Sequence, residues 1–175
     1  MNRRLMLVLA GALVAASSFL LLWPRPAAPR LSLTDLSQLP VRIAAPYNEK
    51  ADADADVAAA FARAKASGKR VLVDLGGNWC PDCIVLANVM ALPELKPFLE
   101  AHFEMVAVDV GRFDRNLQVP ARFGLTKRLA GVPTVLIATP DGKLLNPDDP
   151  FTLANAGTMS PQVIADWLAK WAERK

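Results

Sequence analysis

The amino-acid sequence predicts an α/β sandwich in which a small mixed β-sheet is flanked by helices. Three observations carry this prediction: apolar runs of strand length alternate with helical segments, a Cys-x-x-Cys pair follows the first of these runs, and turn residues follow the last of them. The chain has 175 residues. After an apolar N-terminal run, about 145 residues remain, enough for one domain with a core.

The domain is predicted to begin with an irregular lead-in over 30–50 and an Ala-rich helix over 51–67 that closes at Gly68. Acids in the first turn of this helix and Lys65 near its end complement the helix dipole. Residues 70–75 are β-branched and apolar, which is typical of a buried central strand.

The remaining elements follow the same rules. In chain order they are a helix over 81–90 that begins at a proline, a helix over 94–102, a strand over 103–110, a basic loop with a short helix over 111–128, and a strand over 134–139. The turn at 140–143 predicts a hairpin into a further strand at Leu144 and Leu145. An amphipathic helix over 160–175 closes the domain, and its predicted core face consists of Val163, Ile164, Trp167, Leu168 and Trp171.

Cys80 and Cys83 are the two cysteines of the chain, at the predicted junction of a strand and a helix. Their spacing brings both sulfurs within disulfide reach, and it places Cys80 where helix dipoles and free N–H groups favour a thiolate. A structural disulfide is the alternative, but closing so short a loop stabilises a fold little. A zinc site would need two further ligands, and His102 is the one histidine. The pattern favours dithiol–disulfide exchange.

The chain resembles the thioredoxin-like superfamily over residues 54–175. Trp79-Cys80-Pro81-Asp82-Cys83 is similar to the family's active-site signature, and Val132-Pro133-Thr134 to the loop where the family places a cis proline beside the disulfide. Asp74 matches the buried acid of thioredoxins. With its N-terminal export segment, the chain further resembles the membrane-tethered thiol–disulfide oxidoreductases of bacterial envelopes. The resemblance implies a thioredoxin-like sandwich, a redox-active Cys80–Cys83 pair and no cofactor.

The resemblance also implies the roles of three residues. Cys80, exposed at the helix start, is expected to attack a substrate disulfide, and Cys83 to resolve the resulting mixed disulfide. Asp74 lies in an apolar strand, where an unpaired charge is costly, and it is expected to accept the proton of Cys83. A carboxylate satisfied by backbone N–H groups at a strand end is the alternative for Asp74.

Five neighbouring residues are expected to shape the site. Pro81 begins the helix, and Asp82 places negative charge beside Cys80, which opposes thiolate formation and favours a reducing couple; helix capping is its alternative role. The resemblance implies that a cis bond precedes Pro133, whose ring packs beside the sulfurs, and that Val132 exposes backbone for pairing with an extended substrate. Trp79 shields the disulfide and contacts substrate, or packs in the core.

The chain departs from the family pattern in three places. Pro81-Asp82 stands where Gly-Pro is usual, and the strand over 103–110 lacks the lysine that thioredoxins pair with their buried acid. The stretch from Cys80 to Pro133 is longer than usual, and the extra length is assigned to 111–128. Redox poise and choice of partner therefore do not follow from the resemblance alone.

The N-terminal residues predict an export segment. A 19-residue apolar run over 5–23 follows two arginines, and its length is near the roughly 20 residues that span a bilayer. Pro26 and Ala28 flank a poor cleavage site, so we expect an uncleaved signal-anchor over 1–23, a linker and lead-in over 24–50 and the domain over 51–175; cleavage is the alternative.

Charge and orientation complete the functional hypothesis. Residues 1–29 contain three arginines and no acid, whereas the remainder balances 17 basic with 17 acidic residues, so the basic pI gives no indication of nucleic-acid binding. The arginines are expected to stay cytoplasmic and place the domain in the bacterial periplasm. The predicted function is reduction of protein disulfides with electrons from a membrane-embedded relay. The alternatives are an oxidase or isomerase on the same scaffold, and a non-catalytic module that binds copper through both cysteines.

Overall fold

A mixed three-stranded sheet forms the centre of the molecule in the computed structural model, which describes residues 26–172. The central strand β1 covers Arg70–Gly76, with β2 (Phe103–Asp109) parallel on one side and β3 (Thr134–Ala138) antiparallel on the other. Every residue of β1 after Arg70 is buried. A strand covered on both faces reads as a continuous apolar run, as this one does except at Asp74.

Helices cover both faces of this sheet. The α-helices of the described residues are α1 (Ala53–Ser67), α2 (Pro81–Met90), α3 (Lys96–His102), α4 (Gln118–Ala121) and α5 (Pro161–Lys170). Short 3₁₀-helices lie at Leu36–Gln38 and Thr152–Thr158. The predicted α/β sandwich with a small mixed sheet is confirmed. Among residues 26–172 no helix is long and apolar enough to cross a membrane, and the anchor expected over 1–23 lies outside them.

The two faces of the sheet carry separate apolar clusters because side chains alternate along each strand. Leu72, Val135 and Ile137 pack with residues of α2, α3 and α5 on one face. Val71, Val73, Leu75 and Leu136 pack with α1 and with residues that follow β2 on the other. By the same alternation, Asp74 and Gly76 lie on the same face of the sheet as Leu72, which is the face that α2 covers.

The start of α1 differs slightly from the prediction. Asp52 is the N-cap, and its side chain accepts a hydrogen bond from Ala55 N–H at 3.0 Å. The helix ends as predicted at Gly68, whose φ of 72° is the left-handed conformation favoured by glycine.

The predicted hairpin turn at 140–143 forms, with Thr139 N–H donating to Lys143 C=O at 2.9 Å and Leu145 N–H to Ile137 C=O at 2.7 Å, but no further strand follows it at Leu144 and Leu145. A single bridge joins Ala138 to Leu144, and the edge of β3 is completed by a side chain instead. The buried amide of Asn146 accepts from Ile137 N–H and donates to Val135 C=O, both at 2.8 Å. This amide satisfies two of the backbone groups that a fourth strand would otherwise have paired.

The predicted core face of the last helix is correct except at one residue. Ile164, Trp167 and Leu168 are buried, but Val163 is 51% exposed. At 100° per residue, Val163 lies about a quarter turn from the centre of the apolar stripe, which explains its exposure. The helix ends at Lys170; residues 173–175 lie outside the described part.

Candidate functional site

Cys80 and Cys83 are joined as a disulfide at the start of α2, with their Cα atoms 5.3 Å apart. Cys80 is the N-cap of the helix, and its Sγ accepts a hydrogen bond from Cys83 N–H at 3.1 Å. A donor at this position also stabilises a Cys80 thiolate in the reduced protein. The expected exposure of Cys80 is wrong for the disulfide form: the residue is 3% exposed, because the loop before β3 covers it.

That loop contains Val132 and Pro133, and the peptide bond between them is cis. The carbonyl oxygen of Val132 lies 3.3 Å from Cys80 Sγ. Both residues are buried, with Val132 only 6% exposed. The expectation that Val132 exposes its backbone is therefore wrong in this state, because its carbonyl faces the disulfide.

Pro81 occupies the first turn of α2, as predicted, and the carboxylate of Asp82 contacts a residue outside its own helix. Asp82 Oδ1 accepts a hydrogen bond from Gly157 N–H at 2.7 Å. A Cβ at Gly157 would lie 3.1 Å from that oxygen, so glycine permits the close approach. Asp82 thus connects the active-site helix to the 3₁₀-helix at Thr152–Thr158, and Cys80 provides the cap that had been the alternative role of Asp82.

Trp79 lies at the rim of the site and not in the core, which excludes the core-packing alternative. It is 40% exposed, and its indole Nε1–H donates to the carbonyl of Gly111 at 2.7 Å. The ring of Phe113 meets it edge-on, with centroids 6.0 Å apart. The residue before the first cysteine is therefore fixed to the loop that follows β2.

Asp74 is buried directly beneath this site, at 3% exposure. Its Oδ2 accepts a hydrogen bond from the hydroxyl of Tyr47 at 2.9 Å, and its Oδ1 has no partner among the described residues. Burial raises the pKa of Asp74 to about 7, an increase that the Tyr47 hydrogen bond partly opposes. The partner of the carboxylate is a phenol, so the alternative of backbone N–H groups is wrong.

Tyr47 is itself 3% exposed, and burial followed by the nearby Asp74 charge raises its pKa far above the ordinary value. The phenol therefore stays neutral and donates a hydrogen bond to the carboxylate. Its hydroxyl and Cys83 Sγ meet at Gly76: a Cβ added there would overlap the hydroxyl and lie 2.8 Å from the sulfur. Gly76 is thus the point at which the phenol, the resolving cysteine and β1 come together.

Sequence reasoning missed Tyr47, Asn78 and Gly76 as site residues. Asn78 binds the backbone of Tyr47 on both sides, accepting from its N–H at 3.0 Å and donating to its carbonyl at 2.9 Å. Tyr47 is the one tyrosine of the chain and lies in a segment without periodicity, so no pattern marks it. The doublet of Gly76 and Gly77 directly after a strand was the available signal of close approach.

Within residues 26–172, no group of three or more His, Cys, Asp or Glu side chains is placed to hold a metal ion. His102 lies at the end of α3, where its ring is 4.6 Å from that of Phe98.

Comparison with known proteins agrees with this geometry. A family model described as thioredoxin-like matches residues 52–140, a range that includes both cysteines, Asp74 and the cis proline. The chain belongs to the thioredoxin-like family. Tyr47 and the segment around it lie outside the matched range.

Individual relatives bear names from the same family. The thioredoxin of Alicyclobacillus acidocaldarius subsp. acidocaldarius is 33% identical over 77 residues, which are 44% of this chain and 65% of that protein. A protein of Oryza sativa subsp. japonica described as "Probable nucleoredoxin 3" is 25% identical over 112 residues, 54% of this chain and 24% of its own length. The chain thus spans less than two thirds of either relative.

A solved structure is similar over more of the chain. The disulphide isomerase from Xylella fastidiosa Temecula1 is 39% identical, covers 71% of this chain and 95% of its own, and superposes with a TM-score of 0.67. Together with the Cys80–Cys83 disulfide, these similarities support the prediction of a thiol–disulfide oxidoreductase.

Proposed function

We propose that this chain is a thiol–disulfide oxidoreductase that reduces disulfides of protein substrates through the Cys80–Cys83 dithiol. The observation that carries the proposal is the disulfide at the N-terminus of α2, placed above a buried carboxyl group whose pKa is near neutrality. One sulfur has a hydrogen-bond donor for its thiolate, and a titratable acid is joined through the Tyr47 hydroxyl to the contact at Gly76 where the other sulfur lies, which together provide what dithiol–disulfide exchange needs.

The reduction begins from the dithiol. The Cys80 thiolate attacks one sulfur of the substrate disulfide, the substrate S–S bond breaks, and the departing substrate thiolate takes a proton from water. Asp74 accepts the proton of the Cys83 thiol, and the Cys83 thiolate attacks Cys80 Sγ. The second substrate thiolate leaves, and the Cys80–Cys83 disulfide forms. Two electrons have then passed from the dithiol to the substrate.

Direction and location belong to the same proposal. The negative charge of Asp82, one residue from Pro81 at the helix start, favours the disulfide over a Cys80 thiolate and so favours a reducing couple. The basic residues before the apolar run support a membrane anchor with the domain in the bacterial periplasm. A reductant in that oxidising compartment needs a membrane-embedded relay to return its disulfide to the dithiol.

A disulfide isomerase is the second candidate function. The 39% identity to a structure named disulphide isomerase favours it, and the buried acid is compatible with either direction. An isomerase attacks a wrongly paired disulfide through Cys80 and then releases the rearranged protein, without net transfer of electrons.

The reduction potential of the Cys80–Cys83 pair distinguishes these functions. The full chain, equilibrated in detergent against a glutathione buffer, is expected to give about −270 mV if it is a reductant. A value near about −180 mV would favour the isomerase, and one near about −120 mV would mean an oxidant.

Variants of the two cysteines test the order of attack. Cys83→Ser is expected to accumulate mixed disulfides with protein substrates, because Cys80 still attacks and nothing resolves the product. Cys80→Ser should abolish exchange and trap nothing, as seen on non-reducing gels of cells treated with acid to quench thiols. Trapping by Cys80→Ser alone would reverse the two roles.

A further inference from the structure

The segment over residues 42–49 lies against the active-site helix and is held at both ends by asparagine side chains. At one end Asn88 of α2 accepts from the N–H groups of Arg42 and Ile43, at 2.8 and 3.0 Å, and donates to Ile43 C=O at 2.8 Å. At the other end Asn78 binds the backbone of Tyr47 at 2.9 and 3.0 Å. Both anchors belong to the elements that carry Cys80 and Cys83, so the segment and the cysteines are positioned together.

The hydrogen bonds from Asn78 and Asn88 position the segment so that the side chain of Tyr47 reaches the buried Asp74. The hydroxyl of Tyr47 donates to Asp74 Oδ2 at 2.9 Å and lies beside Cys83 Sγ at Gly76. The hydroxyl is the one hydrogen-bond donor to Asp74 within the described residues, since Oδ1 has no partner. An ionised carboxylate depends on such a donor far more than a protonated one does.

We propose that Tyr47 is a positioning residue for the resolving step: its hydroxyl orients Asp74 and stabilises the ionised carboxylate that takes the proton of Cys83. This inference rests on the proposed role of Asp74 as base. In the step, the S–H bond of Cys83 breaks, the proton binds Asp74, and the Cys83 thiolate displaces the substrate sulfur from Cys80. Tyr47 keeps its own proton throughout.

Other charged groups near the phenol are few. Asp109 at the end of β2 contributes to the raised pKa of Tyr47 and is paired with Arg115 at 3.4 Å. The buried residues of α1 are apolar, as are the residues of β2 and β3 that pair with Asp74. Within the described residues, Tyr47 is the one group shown to favour ionisation of Asp74.

The test is the pH profile of Tyr47→Phe, measured on the resolving step alone. Reduced full chain is mixed with Ellman's reagent, and release of the second thionitrobenzoate reports the attack of Cys83 on Cys80. The wild-type rate is expected to rise with pH around 7, where Asp74 ionises. Tyr47→Phe should move the midpoint upward, making the reaction roughly tenfold slower at pH 6 and nearly unchanged at pH 9.

Control variants separate positioning from a general effect on the fold. Ala45→Ser, in the same segment but exposed, should leave the profile unchanged. Asn78→Ala releases the backbone of Tyr47 without altering the phenol, so it should also raise the midpoint, and the double variant should add little to Tyr47→Phe. If Tyr47→Phe does not fold, the midpoint of Asn78→Ala decides.

An unchanged midpoint in both variants overturns the role of Tyr47. It leaves the role of Asp74 standing if Asp74→Asn removes the pH dependence. If Asp74→Asn keeps the wild-type profile, the base itself is wrongly assigned and the positioning role fails with it.

A separate observation concerns the rim beside Cys80. Trp79, Arg112, Phe113 and Arg128 form what we term the cationic rim. The guanidinium of Arg112 lies 4.9 Å from the ring centroid of Trp79, and that of Arg128 lies 4.7 Å from the ring centroid of Phe113. Phe113 has a φ of 69°, a conformation that is costly for an aromatic residue and often found at functional sites.

Charge is unevenly distributed between this region and the rest of the domain. Residues 111–128 contain five basic residues and one acid, whereas the other described residues contain ten basic and fifteen acidic ones. Arg115 and Arg122 are paired with Asp109 and Asp54. Arg112 and Arg128 are exposed, and no carboxylate of residues 26–172 forms an ion pair with either. The carboxylate of Asp114 binds the backbone N–H of Arg112 at 2.9 Å.

We infer that the cationic rim binds an acidic segment of the protein substrate next to its disulfide, which names a substrate class for the proposed function. A guanidinium that stacks on an aromatic ring keeps its in-plane N–H donors available for a carboxylate. Trp79 precedes Cys80 directly, so an extended chain held at the rim would bring a neighbouring disulfide to the nucleophile.

The test compares two disulfide-linked peptides that differ only in the residues flanking the cysteines, glutamate in one and lysine in the other. With wild-type chain and a chemical dithiol as reductant, kcat/KM is expected to be roughly tenfold higher for the acidic peptide, and the preference should weaken with salt. Arg112→Glu with Arg128→Glu should remove or invert it.

A matched control uses Lys65→Glu with Lys143→Glu, which changes net charge equally. Lys65 lies in the last turn of α1, close in sequence to the start of β1. Lys143 comes soon after Ala138, the last residue of β3, which pairs with Val71 near the start of β1. Both lysines therefore lie at the end of the sheet opposite Cys80. The control should keep the acidic preference. Equal rates for both peptides with the wild-type chain would overturn the proposed role of the cationic rim. A preference for the acidic peptide that persists in the double variant Arg112→Glu with Arg128→Glu would overturn it as well. A wild-type chain that reduces neither peptide contradicts the proposed function itself, and the substrate class with it.

Discussion

At the scale of single residues, Asp74 shows how burial converts an ordinary carboxyl group into one that titrates near neutrality. Its neighbours along β1 are apolar and buried, so water cannot solvate its charge. The hydrogen bond from Tyr47 recovers only part of that solvation, and the pKa stays at about 7. The cost falls on the folded state, because the unfolded chain ionises the same group freely.

The stability of the chain is therefore expected to depend on pH through Asp74. The folded protein holds the proton up to about pH 7, whereas the unfolded chain releases it near the ordinary aspartate pKa of 3.8. Stability should thus fall as pH rises between these values and level off above the upper one. Asp74→Asn removes this titration. The free energy of unfolding of the variant minus that of the wild type should therefore be larger at pH 8 than at pH 4.

Urea unfolding of the oxidised chain at both pH values measures this difference. Asp141→Asn, at an exposed position, is the control and should follow the wild-type pH dependence. Equal stability differences at pH 4 and pH 8 for Asp74→Asn would show that Asp74 has the same pKa in both states.

At the scale of elements, three polar side chains along α2 and at its N-cap position hold the active-site helix. Cys80 caps the helix, Asp82 binds the 3₁₀-helix at Thr152–Thr158, and Asn88 binds the segment over 42–49. Each bond uses a side chain of a helix that is otherwise apolar and buried. The active-site helix is therefore fixed in orientation by polar contacts, whereas its burial supplies the stability.

Asp82→Ala should make the Cys80–Cys83 couple more oxidising. Removing a negative charge from the helix start favours the Cys80 thiolate, and hence the reduced form, by some tens of millivolts, since about 30 mV corresponds to a tenfold change in the equilibrium. Glutathione equilibration of both chains gives the two potentials. Asp56→Ala, in the first turn of α1, is the control, and a more negative potential for Asp82→Ala would contradict the reasoning.

The edge of β3 supplies a second prediction at this scale. Asn146→Ala leaves Ile137 N–H and Val135 C=O buried without partners and should cost about 2 kcal/mol or more. Denaturant titration gives the free energy of unfolding. The exposed Asn155→Ala should cost well under about 1 kcal/mol, and an equal loss in both variants would mean that the amide of Asn146 does not complete the sheet.

At the scale of the whole molecule, the redox pair, the buried acid and the basic rim lie at one end of the sheet. The end of β1 carries Gly76 and leads to Cys80, while Val110 N–H binds Gly76 C=O at 2.8 Å and brings the start of the 111–128 region alongside. The cis proline loop precedes β3 at the same end, because Thr134 pairs with Leu75. Every group assigned to function therefore lies at the same end of the sheet.

Membrane attachment is a prediction for the complete chain. If residues 1–23 form an uncleaved anchor, the protein expressed in a bacterium should remain in the membrane pellet after alkaline carbonate extraction. It should also be accessible to a thiol reagent added to the periplasm. A chain that lacks residues 1–23 is the control and should stay in the cytoplasm; release of a shortened, soluble periplasmic protein would show cleavage instead.

The sequence by itself determined the α/β architecture, the positions of β1 and α2 and the redox pair, because each follows from local periodicity or a short motif. The importance of Asp74 was also predictable from the sequence, since one charge in a buried strand must have a function or a partner. The role of Tyr47 was not predictable, because it depends on a contact with a residue 27 positions away that no local pattern encodes. The predicted hairpin strand is reduced to one bridge for a similar reason: Asn146, eleven residues from Val135, binds the strand edge through its side chain. Only the tertiary structure decided which groups bury and bind one another, since burial and hydrogen bonding between distant residues depend on the packed chain.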